Sequence, residues 1–258
     1  MTWAATMTDL NEHFRKLGFR SSPEALEALI IRATRTQQEP AELLKELCAL
    51  EIGERDTINL QRRVRYATMG TFKEVARFDW NHPRKIPRDL YDTLCTTEFL
   101  KEGHNVLFRG QSGVGKTTLA KNLGHLALAK GYQIRFTTLS DLLVDLLRQD
   151  SIPAFQRRIR RYTRPHLLII DELGYLPADA KAADALYHVL AARHEKRSTV
   201  MTTNLPFKEW TTIFPNASCV TALVDRFAQR CHVVDIDAES WRERDANEFK
   251  KKGSPRKT

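Results

Sequence analysis

The eight residues from Gly110 to Thr117, GQSGVGKT, constrain the fold of this chain more than any other segment. They match the pattern GxxxxGK[ST], and they lie between an apolar run, NVLFRG, and an amphipathic segment. This context predicts a strand, a glycine-rich turn and a helix, an arrangement in which backbone N–H groups turn inward around phosphate oxygens. The sequence therefore predicts a phosphate-binding loop inside a β-α-β unit.

The residues of this loop have separate predicted roles. The glycines let the backbone turn closely, Lys116 brings a positive charge to the β and γ phosphates, and the Thr117 hydroxyl binds Mg²⁺. We therefore expect ATP and Mg²⁺ as the cofactors. The residues predicted to bind the nucleotide here are Gly110, Gln111, Ser112, Gly113, Val114, Gly115, Lys116, Thr117 and Thr118.

After residue 104, five short apolar runs alternate with amphipathic segments, which is typical of a parallel sheet covered by helices. The runs are NVLFRG, QIRFTT, HLLIID, STVMTT and HVVDI. The segments between them predict a helix that ends near Lys130, one that Ser140 caps, and others at about 152–163, 178–194 and 218–230. Up to about residue 100 the apolar spacing is helical, except at 71–87, where aromatic residues and two prolines predict an ordered linker. We therefore expect an α/β domain with an N-terminal all-helical appendage.

Breaks in these patterns set the predicted domain boundaries. Within the N-terminal part, residues 43–50 and 54–69 are predicted as separate helical stretches. The predicted domains are a helical domain at 1–70, a linker and leading helix at 71–103, the α/β domain at 104–245, and a basic, disordered tail at 246–258. A membrane span needs about 18 apolar residues, and no apolar stretch of the chain approaches that length. No signal peptide is evident either, so we expect a cytoplasmic protein with no membrane partner.

Polar residues end two of the predicted strands. Asp171 and Glu172 follow the run LLII, and beside a phosphate-binding loop Asp171 is expected to hold Mg²⁺ through water while Glu172 polarises an attacking water. Asn204 ends another strand and can reach the γ-phosphate or that water, because ligands of open α/β sheets bind outside the strands' carboxyl ends. A turn-forming role before Leu205 and Pro206 is the alternative for Asn204.

The formal net charge is +9, with the excess in the last 60% of the chain. A helix at about 152–163 places Ile152, Phe155, Ile159 and Tyr162 on one face, which we expect to be anchored in protein. The rest of that helix carries five cations with no acid between them, suited to contacting DNA phosphates without reading bases. These predicted DNA contacts are Arg157, Arg158, Arg160, Arg161 and Arg164.

A solvated basic face is the alternative for this helix. The same alternative holds for a second cluster, Arg55, Arg62, Arg63 and Arg65, which fits a solvated face as well as a DNA contact. Two other site classes are excluded. The four cysteines include no CxxC pair, and Ser198 replaces the second histidine that a zinc-protease HExxH motif beginning at His194 would need.

Four segments together resemble a known family: GQSGVGKTTLA, LLIIDELGYLP, TTNLPFKEW and LVDRFAQRCHVVDI. They resemble the AAA+ ATPases of the IstB type, the transposition helpers of bacterial insertion sequences, which are relatives of the DnaC-type helicase loaders. LGYLP and NLPFKEW are the more specific segments, because they lie outside generic nucleotide chemistry. The resemblance implies a five-stranded parallel sheet of order 5-1-4-3-2, ATP-dependent assembly into homo-oligomers, binding to double-stranded DNA, and a partner transposase.

The same resemblance implies roles for single residues. Asn204 would be sensor 1, and Arg226 of the DRF segment would complete the nucleotide site of a neighbouring subunit. Arg230, four residues later, is expected on the same helical face and is a second candidate. Arg242 of SWRER resembles the sensor 2 position, where the family more often has SYR. Only 16 residues follow Arg242, so the C-terminal lid is expected to be reduced.

These observations favour an ATP-regulated DNA-binding protein that oligomerises on duplex DNA and delivers or activates a transposase, with Lys116, Glu172, Asn204 and Arg226 in the chemistry. A helicase loader of the same fold is the nearest alternative. A P-loop kinase of a small metabolite is a third hypothesis, but it would have no need for Asn204, Arg226 or the basic helix. A scaffold that binds ATP without hydrolysing it is a fourth, and Glu172 argues against it.

Overall fold

A computed structural model of the chain describes residues 3–174, 179–215 and 217–241. The chain divides into two compact units, residues 1–62 and 63–258, and each is described by itself. The domain boundaries expected from the sequence stay predictions. Within the described residues, no helix is both long enough and apolar enough to span a lipid bilayer.

Helices make up the N-terminal part. They are α1 (Trp3–Lys16), α2 (Pro23–Arg35) and α3 (Pro40–Ala67). The hydroxyl of Ser22 accepts a hydrogen bond from the amide of Ala25 and so caps α2, as Ser-Pro at a helix start predicts. The predicted break between residues 50 and 54 is wrong, because α3 continues through Gly53. A glycine inside a helix costs only about 1 kcal/mol, which the good helix formers on both sides of it can offset.

Strands and helices alternate in the second unit after a short 3-10 helix at Val75–Arg77 and α4 (Arg88–Cys95). The order that follows is β1 (Asn105–Gly110), α5 (Lys116–Ala129), β2 (Ile134–Thr138), α6 (Leu139–Leu147), α7 (Ile152–Thr163), β3 (Leu167–Leu173), α8 (Ala180–Arg193), β4 (Ser198–Thr203), α9 (Trp210–Ile213), α10 (Val220–Ala228) and β5 (Cys231–Ile236). All five predicted strands are present.

The strands form one parallel sheet in the order β2-β3-β4-β1-β5, which confirms the expected order. Apolar side chains alternate between its two faces. In β1, Val106 and Phe108 pack on one side with residues of α4 and α5, while Leu107 packs on the other with residues of α6, α8 and α10. Both faces are therefore covered, which explains the nearly continuous apolar runs in the sequence.

Two local predictions are wrong. Thr138, not Ser140, caps α6, because the Thr138 hydroxyl accepts a hydrogen bond from the amide of Asp141 at 3.1 Å. Helix α10 ends at Ala228, so Arg230 lies beyond the helix and does not share a helical face with Arg226.

Arg193 connects the segment after α7 to the start of β4. Its side chain is almost completely buried. It donates hydrogen bonds to the carbonyls of Tyr162 (2.8 Å), Pro165 (2.9 Å) and Ser198, and to the hydroxyl of Thr199 (3.0 Å). Burial, with the charge of Arg197, lowers the pKa of Arg193 to about 9. The surrounding carbonyl oxygens supply the compensation that a buried cation needs, and they fix the end of α7.

Candidate functional site

The loop between β1 and α5 borders a cavity of about 340 Å³. Gly113 and Gly115 in this loop have φ values of 79° and 96°, in the left-handed region that favours glycine. A Cβ on Gly115 would lie 2.6 Å from Cε2 of Phe78, and one on Gly113 would collide with Ser240. The loop therefore needs glycine both for its backbone conformation and for its close neighbours.

Lys116 begins α5 and is buried beside the loop. Its Nζ donates hydrogen bonds to the carbonyls of Gly110 at 2.8 Å and Gln111 at 2.6 Å. An ammonium group is thus held where the N-terminus of a helix already favours an anion. Of the other loop residues, Ser112, Thr117 and Thr118 line the cavity, whereas the Val114 side chain packs in the core.

Asp171 is buried near the carboxyl end of β3. Its Oδ1 accepts hydrogen bonds from the hydroxyls of Thr117, at 2.9 Å, and Thr202. Thr117 and Asp171 are the two residues for which the sequence predicts Mg²⁺ binding, and the structure brings them together. Their oxygen atoms are the ligand type that Mg²⁺ prefers, so the residues present fit this ion.

Glu172 lies in an irregularity of the sheet. The register between β3 and β4 shifts between Ile170 and Leu173, and Glu172 has a φ of 64°. Its amide donates a hydrogen bond to the Thr202 hydroxyl at 3.0 Å, and its exposed side chain lines the cavity. The bulge therefore presents a carboxylate to the cavity from the residue directly after the buried Asp171.

Asn204 lies one residue beyond the end of β4 and is exposed. It lines an adjoining depression together with Gly110 and Gln111, outside the set of residues that line the 340 Å³ cavity. Its reach to the γ-phosphate stays a prediction. The residue that sequence reasoning missed is Thr202, which contacts both carboxylate residues. The signal for it was a second threonine in STVMTT, two residues before Asn204.

Aromatic residues form another wall of the cavity, which sequence reasoning also missed. Phe78 lies in the segment that was predicted only as a linker, and Trp241 follows β5; both line the cavity. The amide of Trp241 donates a hydrogen bond to the Gly113 carbonyl at 3.1 Å. Asn122 of α5 holds the linker, since its side chain bonds the amide of Val75 and the carbonyl of Lys73, each at 2.9 Å. Flat apolar rings beside a phosphate loop suit a nucleotide base.

Arg226 lies outside the set of residues that line this cavity. Its guanidinium carbon lies 4.8 Å from the centre of the Tyr187 ring, a cation–π contact between α10 and α8. Arg230, the second candidate, lies 3.7 Å from Glu195 in an exposed ion pair that contributes little to stability. Arg242, predicted at the sensor 2 position, lies outside the described residues, as do residues 246–258.

Helix α7 begins after Ser151, whose hydroxyl accepts a hydrogen bond from the amide of Ala154. Tyr162 is buried, and Phe155 and Ile159 pack against the core. The prediction that Ile152 is anchored in protein is wrong, because its relative exposure is 75%. As the first residue of the helix, it lies beyond the surface that the following turns cover.

The arginines of α7 and its C-cap residue, Arg164, fall into two groups. Arg157, Arg160 and Arg164 are exposed. Arg158 donates from Nε to both oxygens of Asp145 at 2.8 Å, and Arg161 lies 3.8 Å from the same carboxylate. Burial raises the pKa of Asp145, but hydrogen bonds from Arg158 and Tyr162 outweigh it, so the pKa is lowered. Asp145 belongs to α6, so the spacing within α7 gave no sign of this pairing.

Comparisons with known proteins agree with this geometry. A family described as IstB-like ATP binding protein matches residues 13–249. A relative from Bacillus thuringiensis subsp. berliner, whose name refers to insertion sequence IS232 and ATP binding, is 35% identical over 79% of this chain and 82% of its own. One from Geobacillus stearothermophilus, named for insertion sequence IS5376 and ATP binding, is 30% identical over 92% of this chain and 94% of its own.

Two solved structures show the same fold. A DNA replication initiation factor has a TM-score of 0.53 and 17% identity, and the match covers 71% of this chain and 56% of that one. A DnaC helicase loader has a TM-score of 0.50 and 19% identity, and the match covers 67% of this chain and 99% of that one.

Replacing Lys116 with Ala is expected to weaken ATP binding at least tenfold, because hydrogen bonds to charged groups contribute about 1.5–3 kcal/mol each. Isothermal titration calorimetry with ATP measures the loss. Lys121→Ala is the matched control, since Lys121 lies on the same helix and its Nζ lies 4.3 Å from the ring centre of Phe136. Equal ATP affinity in the Lys116 variant and the parent would contradict the assignment of the loop.

Proposed function

The chain belongs to the family of IstB-like ATP-binding proteins and has an AAA+ P-loop fold, and on this basis we propose that it is an ATPase that assembles on double-stranded DNA and recruits or activates a transposase. One observation carries the ATPase part of the proposal. The buried Asp171 accepts a hydrogen bond from Thr117 of the phosphate loop, and the next residue, Glu172, lines the same cavity.

Residues of the cavity and of the adjoining depression have separate tasks in the proposed hydrolysis. The glycine-rich loop and Lys116 hold the phosphates, and Thr117 with Asp171 would hold Mg²⁺. When bound, Mg²⁺ offsets negative charge on the phosphates. Glu172 orients the attacking water and accepts its proton, because its exposed carboxylate faces the cavity. Asn204 hydrogen bonds the γ-phosphate or that water.

The position of Arg226 supports a site shared between subunits. Its side chain contacts Tyr187 and does not line the cavity of its own chain. An arginine that acts on the γ-phosphate in trans must lie at a surface that a second copy can approach, and Arg226 is partly exposed. We therefore assign Arg226 to the nucleotide site of a neighbouring subunit in a homo-oligomer, where its charge stabilises the transition state.

The DNA part of the proposal rests on α7. Arg157, Arg160 and Arg164 are exposed on a helix that Tyr162 and Arg193 fasten to the core. Cations fixed on a rigid element can contact phosphates with little loss of conformational entropy. The transposase is proposed as the partner because the relatives are named for insertion sequences. A helicase loader shares this fold and is the alternative.

The variant Glu172→Gln is expected to bind ATP with parental affinity and to hydrolyse it at least about 100-fold more slowly, since a general base contributes about 10²- to 10⁴-fold. A phosphate-release assay with duplex DNA and Mg²⁺ measures the rate, and calorimetry measures the affinity. Glu98→Gln serves as the control, because Glu98 is an exposed carboxylate that pairs with Lys101. A parental hydrolysis rate in Glu172→Gln would remove Glu172 from the mechanism.

Arg226→Ala is expected to bind ATP normally as a monomer and to lose most of its hydrolysis in the assembled state. Mixing tests the action in trans. Glu172→Gln protein keeps Arg226, so adding it to Arg226→Ala protein should restore part of the activity at mixed interfaces. If hetero-oligomers form and no activity returns, Arg226 does not act on a neighbour, and Arg230→Ala becomes the next variant to measure.

The triple variant Arg157→Ala, Arg160→Ala, Arg164→Ala is expected to weaken binding to duplexes of any sequence by a similar factor. Each lost phosphate contact should lower the slope of log K against log salt by about 0.9, which is up to about 2.7 for three contacts. Fluorescence anisotropy at several salt concentrations gives the slope, and ATP affinity reports that the fold is intact. An unchanged slope would show that α7 does not contact DNA.

A further inference from the structure

A depression of about 650 Å³ lies in the second unit where the end of α3, strand β2 and helix α7 meet. The five arginines predicted from the 157–164 segment line it, and the structure adds Arg65 from α3 and Arg135 from β2. The position of Arg135 is the more unusual. It lies in the edge strand β2, and although its side chain carries a charge, the residue is only 7% exposed.

Not all N–H groups of Arg135 have a hydrogen-bond partner among the described residues. One terminal nitrogen donates a hydrogen bond to the Tyr66 carbonyl at 3.0 Å, and its guanidinium carbon lies 5.8 Å from the Tyr66 ring centre. Its Nε is buried and has no hydrogen-bond partner among the residues that the structure describes. An unpaired buried donor costs about 1–3 kcal/mol, so this N–H points to an acceptor that the described part of the chain does not provide.

The charge around the depression is unbalanced. Of the described residues that line it, seven are arginines and none is acidic. An adjoining depression shares Arg135 and Arg161 and is lined by two carboxylates, the exposed Asp141 and Asp145, which Arg158 engages. Two carboxylates against seven guanidinium groups leave five positive charges. Burial, with the charge of Arg161, lowers the pKa of Arg135, which shows the same repulsion.

We propose that this arginine pocket holds a backbone phosphate of double-stranded DNA, with Arg135 as its buried anchor and Arg65 as a second contact outside α7. A phosphate offers several acceptor oxygens that match the forked N–H groups of guanidinium, and it supplies the charge that the pocket lacks. The inference rests on the proposed DNA-binding function, and it extends the contact surface from one helix to three elements of the fold.

The exposed rim of the pocket favours DNA over a free anion. Arg65, Arg157, Arg160 and Arg164 are all exposed around the buried Arg135. A single phosphate ion bound at Arg135 leaves these outer cations unpaired, whereas a polyanion places further phosphates beside them. The pocket is also pre-formed. The Tyr66 hydroxyl donates to the Arg161 carbonyl at 3.3 Å, and the Thr68 hydroxyl donates to the Phe136 carbonyl at 2.8 Å.

The test uses the full chain with ATP and a duplex of arbitrary sequence. Arg65→Ala and Arg135→Met each remove one charge from the pocket without touching α7. Arg148→Ala is the matched control, because Arg148 is an exposed arginine at the end of α6 and lies outside the set of residues that line the pocket. Fluorescence anisotropy over a range of salt concentrations gives the affinity and the slope of log K against log salt. ATP affinity and thermal unfolding report on the fold.

We expect Arg65→Ala and Arg135→Met each to lower the slope by about 0.9 and to weaken binding to all duplexes by about the same factor, while Arg148→Ala changes neither. Arg135→Lys keeps the charge but loses the fork, so its slope should stay near the parental value while its affinity falls several-fold. If Arg135→Met does not fold, the Arg65→Ala and Arg135→Lys variants decide the result, since Arg65 is exposed and its replacement leaves the core intact.

Calorimetry with inorganic phosphate, in the absence of DNA, distinguishes a phosphate of the DNA backbone from a free phosphate ion as the anion that the pocket binds. If Arg135→Met loses phosphate binding but keeps the parental slope on DNA, the pocket takes a free anion and the proposal is overturned. Parental slopes in both charge-removing variants overturn it as well, and α7 alone would then contact DNA. If the parent protein itself does not bind duplex DNA, the proposed function fails, and the inference fails with it.

Discussion

The candidate site depends on the hydrogen bonds of one buried carboxylate. Asp171 accepts from Thr117, in the first turn of α5, and from Thr202 in β4. A buried carboxylate without such donors would cost several kcal/mol, and with them it fixes the distance between the phosphate loop and two neighbouring strands. The geometry of the phosphate loop is therefore tied to the sheet through a polar contact at the carboxyl edge of the strands.

Thr202 also fixes the position of Glu172, the residue after Asp171. Its hydroxyl donates to Asp171 and accepts from the amide of Glu172, so one side chain uses both of its hydrogen-bonding capacities at the bulge. A left-handed φ in a residue other than glycine costs about 1–2 kcal/mol, and this hydrogen bond helps to offset it. Consecutive residues of a regular strand point to opposite faces. The bulge is what allows two consecutive carboxylates to lie at the positions required by the roles proposed for them, Asp171 at the metal and Glu172 at the attacking water.

Much of this fold could be predicted from the sequence, because the strands, the phosphate loop and its lysine are specified by residues close together in the chain. The missed features depend on contacts between distant residues. Phe78 lies close against Gly115, 37 residues later in the chain, and Asp145 pairs with an arginine of the next helix. No local period reports such contacts. The cap of α6 was missed for another reason, since Thr138 and Ser140 are both good capping residues and only the bend of the chain distinguishes them.

The difference between local sequence and contacts between distant residues also applies to α7. Its sequence specifies an amphipathic helix, but its position follows from Tyr162, buried in the core and hydrogen bonded to Asp145, and from Arg193, which binds the carbonyls that follow the helix. These contacts hold the α7 arginines beside Arg135 before any anion binds. Bringing like charges together is unfavourable, and the favourable energy of core packing offsets this repulsion within the pocket. An anion that enters relieves the repulsion without ordering the helix, which is the condition for strong binding by a preorganised site.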